Sequence, residues 1–360
     1  MNLKAAPNAP NALTALAVTL SIQAFTSLAA SATPVLAPEM GPAMGLDPKL
    51  IGIFVGVLYL GAMLTSLASV GFIERYGPIT PASSQLLART ASPRTMALTF
   101  SIKQTGVPLG AALAGALLPL LTISYGWRAA VWAVAGCCMV IALLAQPTRA
   151  GLDVGLSRAH RVSMEQLFAP LGLVARSPKL IELTTTGFVY ATTQACLLSF
   201  LVVYMNQELG RTLVNAGLTL TVATVGGVIG RISWGLVADR WIAPRRMLGL
   251  LGLVAGACAL ATSSFGPAWP ITAEILICAL FGVTAIGWNG VQLAEVARHS
   301  PRGKAGAITG ASGFITFAGV VVGPPLFALL ATLTGSYASG FGAIGLASLA
   351  CGAWLLRRKM

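Results

Sequence analysis

The chain alternates between long apolar runs and short charged breaks. Ten runs reach the 17–25 residues that cross a ~30 Å hydrocarbon core as helix. They cover about 12–36, 50–73, 96–123, a run after Trp127-Arg128 ending near 145, then 180–204, 216–238, 247–264, 271–294, 305–330 and 337–356. Apolar residues fill these runs almost without interruption, so the expected element is a lipid-embedded helix, which satisfies its own backbone groups. The predicted fold is an all-α polytopic membrane protein with about ten full transmembrane helices.

Two intervals break the rhythm. After 50–73 the chain reads Glu74-Arg75-Tyr76-Gly77 and then 78–90, a stretch with Pro78 and Pro81 near its start. As helix it would rise only ~20 Å, so a partial or interfacial helix is expected there. The other interval, 146–179, holds Arg149, Arg158, Arg161, Arg176 and Lys179 with two acids. Its apolar patch at 164–175 predicts a surface helix and not a catalytic domain. Small residues at 27–32 also allow a cleaved signal peptide, but the first run is long enough to span and more spans follow.

Composition agrees with lipid as the solvent: 56% hydrophobic and 9% charged residues, with a mean hydropathy of +0.81. The net charge of +13 would suit nucleic acid if clustered, but the basic residues stand singly in short loops. Membrane orientation explains them better. If the amino terminus lies inside and the spans alternate, Lys49, Arg128 and Arg211 face outward, and Lys103 and Arg231 lie within spans. The other 18 of the 23 lysines and arginines face inward. Both termini are therefore expected on the cytoplasmic side of a bacterial-type inner membrane.

The chain is organised around Gly235-Leu236-Val237-Ala238-Asp239-Arg240, followed by Pro244-Arg245-Arg246. An acid and three arginines in a short link between two spans can pair across the loop, as a latch that is made and broken. The simpler alternative is a basic loop that only sets orientation. Within spans each charge needs a partner or a task, since insertion costs roughly 2.5–3.5 kcal/mol. Lys103, beside Gln104, is either a cation attracting an anionic substrate or a side chain snorkelling to the membrane edge. Arg231 precedes Asp239 by about two turns on one face and fits a gate charge network better than substrate contact. Glu182 is expected to pair with Lys179, three residues before it. Glu274 has no evident partner; it and Glu182 are the acids a coupling proton would use. Tyr190 and Gln194 in one span, and Trp288, Asn289 and Gln292 in another, offer aromatic walls and amides for substrate contact, or helix packing. Gly306, Gly310, Gly313, Gly319 and Gly323 allow close helix approach in one span.

Some chemistry has no support. The cysteines fall inside apolar runs without zinc-ligand spacing, and no phosphate-binding Gly-x-x-x-x-Gly-Lys-Ser/Thr occurs. No cofactor, metal, nucleic-acid partner or enzymatic activity is expected; the partners are a small-molecule substrate, with or without a coupling proton, and the bilayer.

These motifs resemble the major facilitator superfamily of secondary transporters. Gly235 to Arg246 is similar to the family's loop signature between the second and third helix of a half. Glu74-Arg75-Tyr76-Gly77 resembles its first-half counterpart, and Lys103-Gln104-Thr105-Gly106-Val107-Pro108-Leu109-Gly110 the Gly/Pro-rich fifth helix. The resemblance implies a two-half helical bundle with the halves at 1–146 and 180–360 and a cytoplasmic loop at 147–179. Members usually have twelve spans; here a third helix and the front of a fourth are missing, and with them any match to the arginine often found there. Ile242 also stands where the signature has glycine. The resemblance implies alternating access to a small solute, with an organic anion as the guess from Lys103. Its gate network would comprise Glu74, Arg75, Arg231, Gly235, Asp239, Arg240, Arg245 and Arg246. A drug exporter of the same family and a transport-inactive remnant of an internal deletion are the alternatives.

Overall fold

The computed structural model describes residues 12–76, 104–152, 164–301 and 305–357. Lys103 and the 78–90 segment lie outside these residues, as do the side chains of Glu74, Arg75 and Asp239. Twelve α-helices follow in order. They are α1 (Ala12–Ala43), α2 (Ile51–Tyr76), α3 (Gly106–Tyr125), α4 (Trp127–Leu152), α5 (Met164–Ala175), α6 (Pro178–Val203), α7 (Leu213–Arg240), α8 (Pro244–Ser263), α9 (Ile271–Ala285), α10 (Asn289–Arg298), α11 (Ala305–Thr334) and α12 (Tyr337–Arg357). Among the described residues 9 helices are long and apolar enough to cross a membrane, α9 and α10 counting as one interrupted span. The apolar part of α2 is shorter, Pro48–Leu64, but the helix has 26 residues and rises ~39 Å, enough to span. Ten spans result among the described residues, in line with the hydrophobic pattern.

Local chemistry sets the ends. Ser177 and Thr212 accept the backbone N–H of Leu180 and Asn215 and so cap α6 and α7. Pro244 opens α8, where its fixed φ and missing N–H cost nothing. Gly126, at φ 81°, closes α3 and permits the immediate turn into α4. α1 runs seven residues past the expected boundary at 36, through Pro38 and Pro42, and holds Pro34 as well. A membrane helix tolerates such prolines where neighbours satisfy the freed carbonyls.

With the spans before and after the 153–163 interval called the first and second halves of the chain, the two meet in crossed seams: α2 lies along α11, and α3 lies along α7. Thus the second helix of each half packs on the second-to-last of the other. Small residues make both approaches possible. A Cβ added to Gly56 would lie 2.9 Å from the Val321 carbonyl oxygen, and one on Gly115 2.6 Å from that of Gly217. The Thr221 hydroxyl donates across the second seam to the Ala112 carbonyl at 3.1 Å. Gly319 and Gly323 of α11 instead face Thr192 and Phe188 of α6, inside their own half. α5 packs on α2, α6 and α11, so the predicted surface helix touches both halves.

One expected span is not continuous. The run 271–294 breaks at 286–288, between α9 and α10. Two side chains from α7 take the carbonyls exposed there: Trp234 Nε1 donates to Val283 O at 2.8 Å, and Arg231 Nε to Ile286 O at 3.0 Å. These bonds replace helical partners, and a cation at the C-terminal end of α9 also complements its dipole.

Candidate functional site

The candidate residues fall into two clusters. The first lies inside the second half, where α6, α9, α10 and α11 converge. Trp288, almost fully buried, donates from Nε1 to Gln194 Oε1 at 3.2 Å. Tyr190 meets the Trp288 ring edge-on, with centroids 5.8 Å apart, while its hydroxyl donates to the Leu248 carbonyl of α8 at 2.8 Å. Gln292 donates to the Leu183 carbonyl at 3.3 Å and the Ser312 hydroxyl at 3.2 Å. Asn289 is half-buried at the first turn of α10. Tyr190, Trp288 and Gln292 thus spend their polar groups on ties within this half, which leaves Asn289 and the amide nitrogen of Gln194 as the partly exposed polar groups of the cluster. A crevice beside this cluster, lined by Tyr190, Thr193, Thr284 and Ser348, is too tight to admit a water molecule.

The second cluster lies between the halves. Arg231 reaches from α7 not only to Ile286 but also to the first half, where NH1 donates to the Gln104 backbone carbonyl at 2.7 Å. The Gln104 side chain accepts from Gln23 Nε2 of α1 at 3.4 Å, and Gln23 Oε1 is buried without a partner. The Tyr59 hydroxyl of α2 lies within electrostatic range of the guanidinium. Arg231 thus ties α7 to the α9–α10 break and to Gln104 just before α3, with α1 one contact further on.

The charge pairs differ from expectation. Glu182 pairs with Arg245, Nε to Oε1 at 2.5 Å, and not with Lys179. Arg245 lies in the first turn of α8 and Glu182 near the start of α6, and the loop arginine, not the neighbour in sequence, takes the buried carboxylate. Glu274, for which the sequence offered no partner, is gripped by Arg211 in a bidentate pair at 2.7 and 3.1 Å, with Arg211 also donating to the Trp269 carbonyl. That hydrogen bonding raises the Arg211 guanidinium above its ordinary range. Arg231 is tied to neutral carbonyls and not to a carboxylate among the described residues. Arg240 and Arg246 are exposed, and Gly235 sits in the last turns of α7 with open space at its Cα.

A family model described as the Major Facilitator Superfamily matches residues 76–324. The chain belongs to this superfamily. Among curated proteins it is 23% identical over 303 residues to an uncharacterized MFS-type transporter of Mycobacterium tuberculosis, covering 83% of this chain and 62% of that protein. It is 25% identical over 284 residues to the membrane sensor protein UhpC of Escherichia coli, covering 72% of this chain and 63% of UhpC. The chain thus spans a little over three-fifths of these relatives' length. Among solved structures it is similar to the nucleoside transporter NupG, with a TM-score of 0.72 at 12% identity over 96% of this chain and 99% of that one. The fucose:proton symporter FucP of E. coli gives 0.58 at 16% identity over 98% and 100%. At these identities the likeness is one of fold.

Within the superfamily fold, three structural features are not evident from the sequence. The break at 286–288 is signalled only by Gly287 in the middle of an apolar run. The Arg211–Glu274 pair joins residues 63 positions apart. Gln23 is a lone amide in an otherwise apolar first span, and that isolation was the available signal.

Proposed function

We propose that this member of the superfamily is a secondary transporter that moves a small solute by alternating access. The observation that carries the reading is the crossed pair of seams, α2 on α11 and α3 on α7. Such seams let two rigid halves rock about a site held between them. In this reading the halves are 1–146 and 180–360, and the loop 147–179 joins them on the cytoplasmic side of the inner membrane, with both termini. The 235–246 loop restrains that side through Arg245 and Glu182, with Asp239, Arg240 and Arg246 beside them and Glu74-Arg75 as the first-half counterpart. The solute is read by Gln104, Gln194 and Asn289, with Tyr190, Trp288 and Gln292 as the wall behind them. Lys103 supports an organic anion as the solute class, and a coupling proton is consistent with the fold.

The test is flux. Full-length protein in proteoliposomes, offered a mixture of small metabolites under an imposed proton gradient, accumulates at least one of them above protein-free vesicles. No enrichment under either gradient direction rejects transport.

The exposed face of α4 favours a second reading, a transport-inactive remnant. Inserting a helical hairpin after Gly77 separates the two. Flux that appears only in the insertion variant selects the remnant; flux in the native chain selects the transporter.

A further inference from the structure

We infer that Arg231 is an anion receptor as well as a structural tie, and that a small organic monocarboxylate is its ligand. The inference deepens the transport reading and rests on it for the word substrate, though not for binding. Of the five N–H donors of a guanidinium, two are used, on the carbonyls of Ile286 and Gln104. Both acceptors are neutral. The buried acids among the described residues are engaged elsewhere: Glu182 with Arg245, Glu274 with Arg211, and Glu295 with Arg298 and His299. Arg231 is half-buried and lies nine residues, ~13 Å, from the end of α7, so its charge sits at membrane depth. A cation there with no carboxylate partner among the described residues is costly, and an entering anion relieves that cost.

The surroundings select among anions. The two carbonyl oxygens beside the guanidinium, and the orphaned Gln23 Oε1 one residue contact away, repel a second negative charge. One carboxylate matched to one guanidinium fork is therefore favoured over a phosphate dianion. Binding also has a mechanical consequence. The Gln104 carbonyl is the first half's hold on Arg231, whereas Ile286 belongs to the same half as Arg231. A carboxylate makes stronger, charge-assisted bonds than a carbonyl, so it displaces Gln104 and leaves the cap on α9 in place. The ligand thereby loosens the seam between the halves at the end bearing the 240–246 loop, by differential affinity for the unlatched state.

Thermal unfolding of the detergent-solubilised full chain tests the site with acetate, lactate and benzoate, each against its neutral amide, and with inorganic phosphate. At least one carboxylate raises the melting temperature while its amide does not, and Arg231→Gln weakens that binding about tenfold or more. Labelling reports the latch separately: in a Cys137→Ser background, Gln104→Cys reacts faster with a maleimide when the carboxylate is present, and fast without it when Arg231→Gln is added. If Arg231→Gln does not fold, Arg231→Lys decides, and is expected to bind weakly with a loosened latch. No shift with any carboxylate, an equal shift with its amide, stronger stabilisation by phosphate, or undiminished binding in the variants overturns the assignment. Flux without carboxylate binding rejects this site and leaves transport standing. Binding at Arg231 without flux rejects transport and leaves the site.

Discussion

The last helix of each half invites comparison. In the second half α12 lies along α8, its closest packing partner, and 44% of its apolar window is buried; in the first half α4 buries 11%. The α8–α12 contact is so intimate that a Cβ on Gly352 would fall 2.7 Å from the Gly249 carbonyl oxygen, and one on Gly256 2.7 Å from that of Gly345. Gly136 of α4 has open space at the same atom, and Trp132, Met139, Leu143 and Leu144 are turned outward. The difference is one of supply. Residues 77–103 are too few for the two spans, roughly 40 residues, that the second half places between its second and second-to-last helices. Among the described residues α4 packs on α1 and α3. Lipid solvates apolar side chains as well as protein does, so this face carries no hydrophobic penalty. What it forfeits is van der Waals contact and helix-to-helix hydrogen bonding.

Three measurements break or sharpen that contrast. The largest effect is expected from an ion pair of the second half that has no counterpart among the described residues of the first: Glu274→Ala strands the Arg211 guanidinium and lowers stability by about 3–5 kcal/mol, read as thermal unfolding in detergent. A loss below ~1 kcal/mol would mean the second half does not depend on that pair. Next, Gly352→Leu wedges α12 off α8 and costs about 1–3 kcal/mol. Gly136→Leu on α4 should stay within about 0.5 kcal/mol, and equal costs would remove the contrast. The smallest effect concerns what covers α4. In single-tryptophan variants, brominated lipid should quench Trp132, 76% exposed, roughly twice as strongly as Trp354, 37% exposed. Weaker quenching at Trp132 would place protein, not lipid, on that face.

Much of this was legible in advance, for identifiable reasons. The ten spans follow from apolar runs against bilayer thickness, and the helix at Met164–Ala175 from an apolar patch between basic residues. The family was legible in Gly235-to-Arg246 and its weaker first-half echo. The candidate site was legible as a set of residue types but not as an arrangement. Tyr190, Gln194, Trp288 and Gln292 do assemble, yet mostly onto one another and onto helix carbonyls. Glu182 was assigned the neighbour nearest in sequence, and Glu274 none, because their arginines approach from other helices. Arg231 was read with Asp239 on its own helix, while its bonds run to two other segments.

The sequence alone determined the solvent and where the spans lie among the described residues, because burial in lipid demands uninterrupted apolar runs of fixed length. Only the tertiary structure decided which face of each helix turns inward, where α9 gives way to α10, and which carbonyls Arg231 holds. A helix that is apolar all round carries no stripe to mark its inner side. Its rotation and partners are then set by close approach at small residues and by a few polar groups from other helices, and no run of neighbouring positions records those.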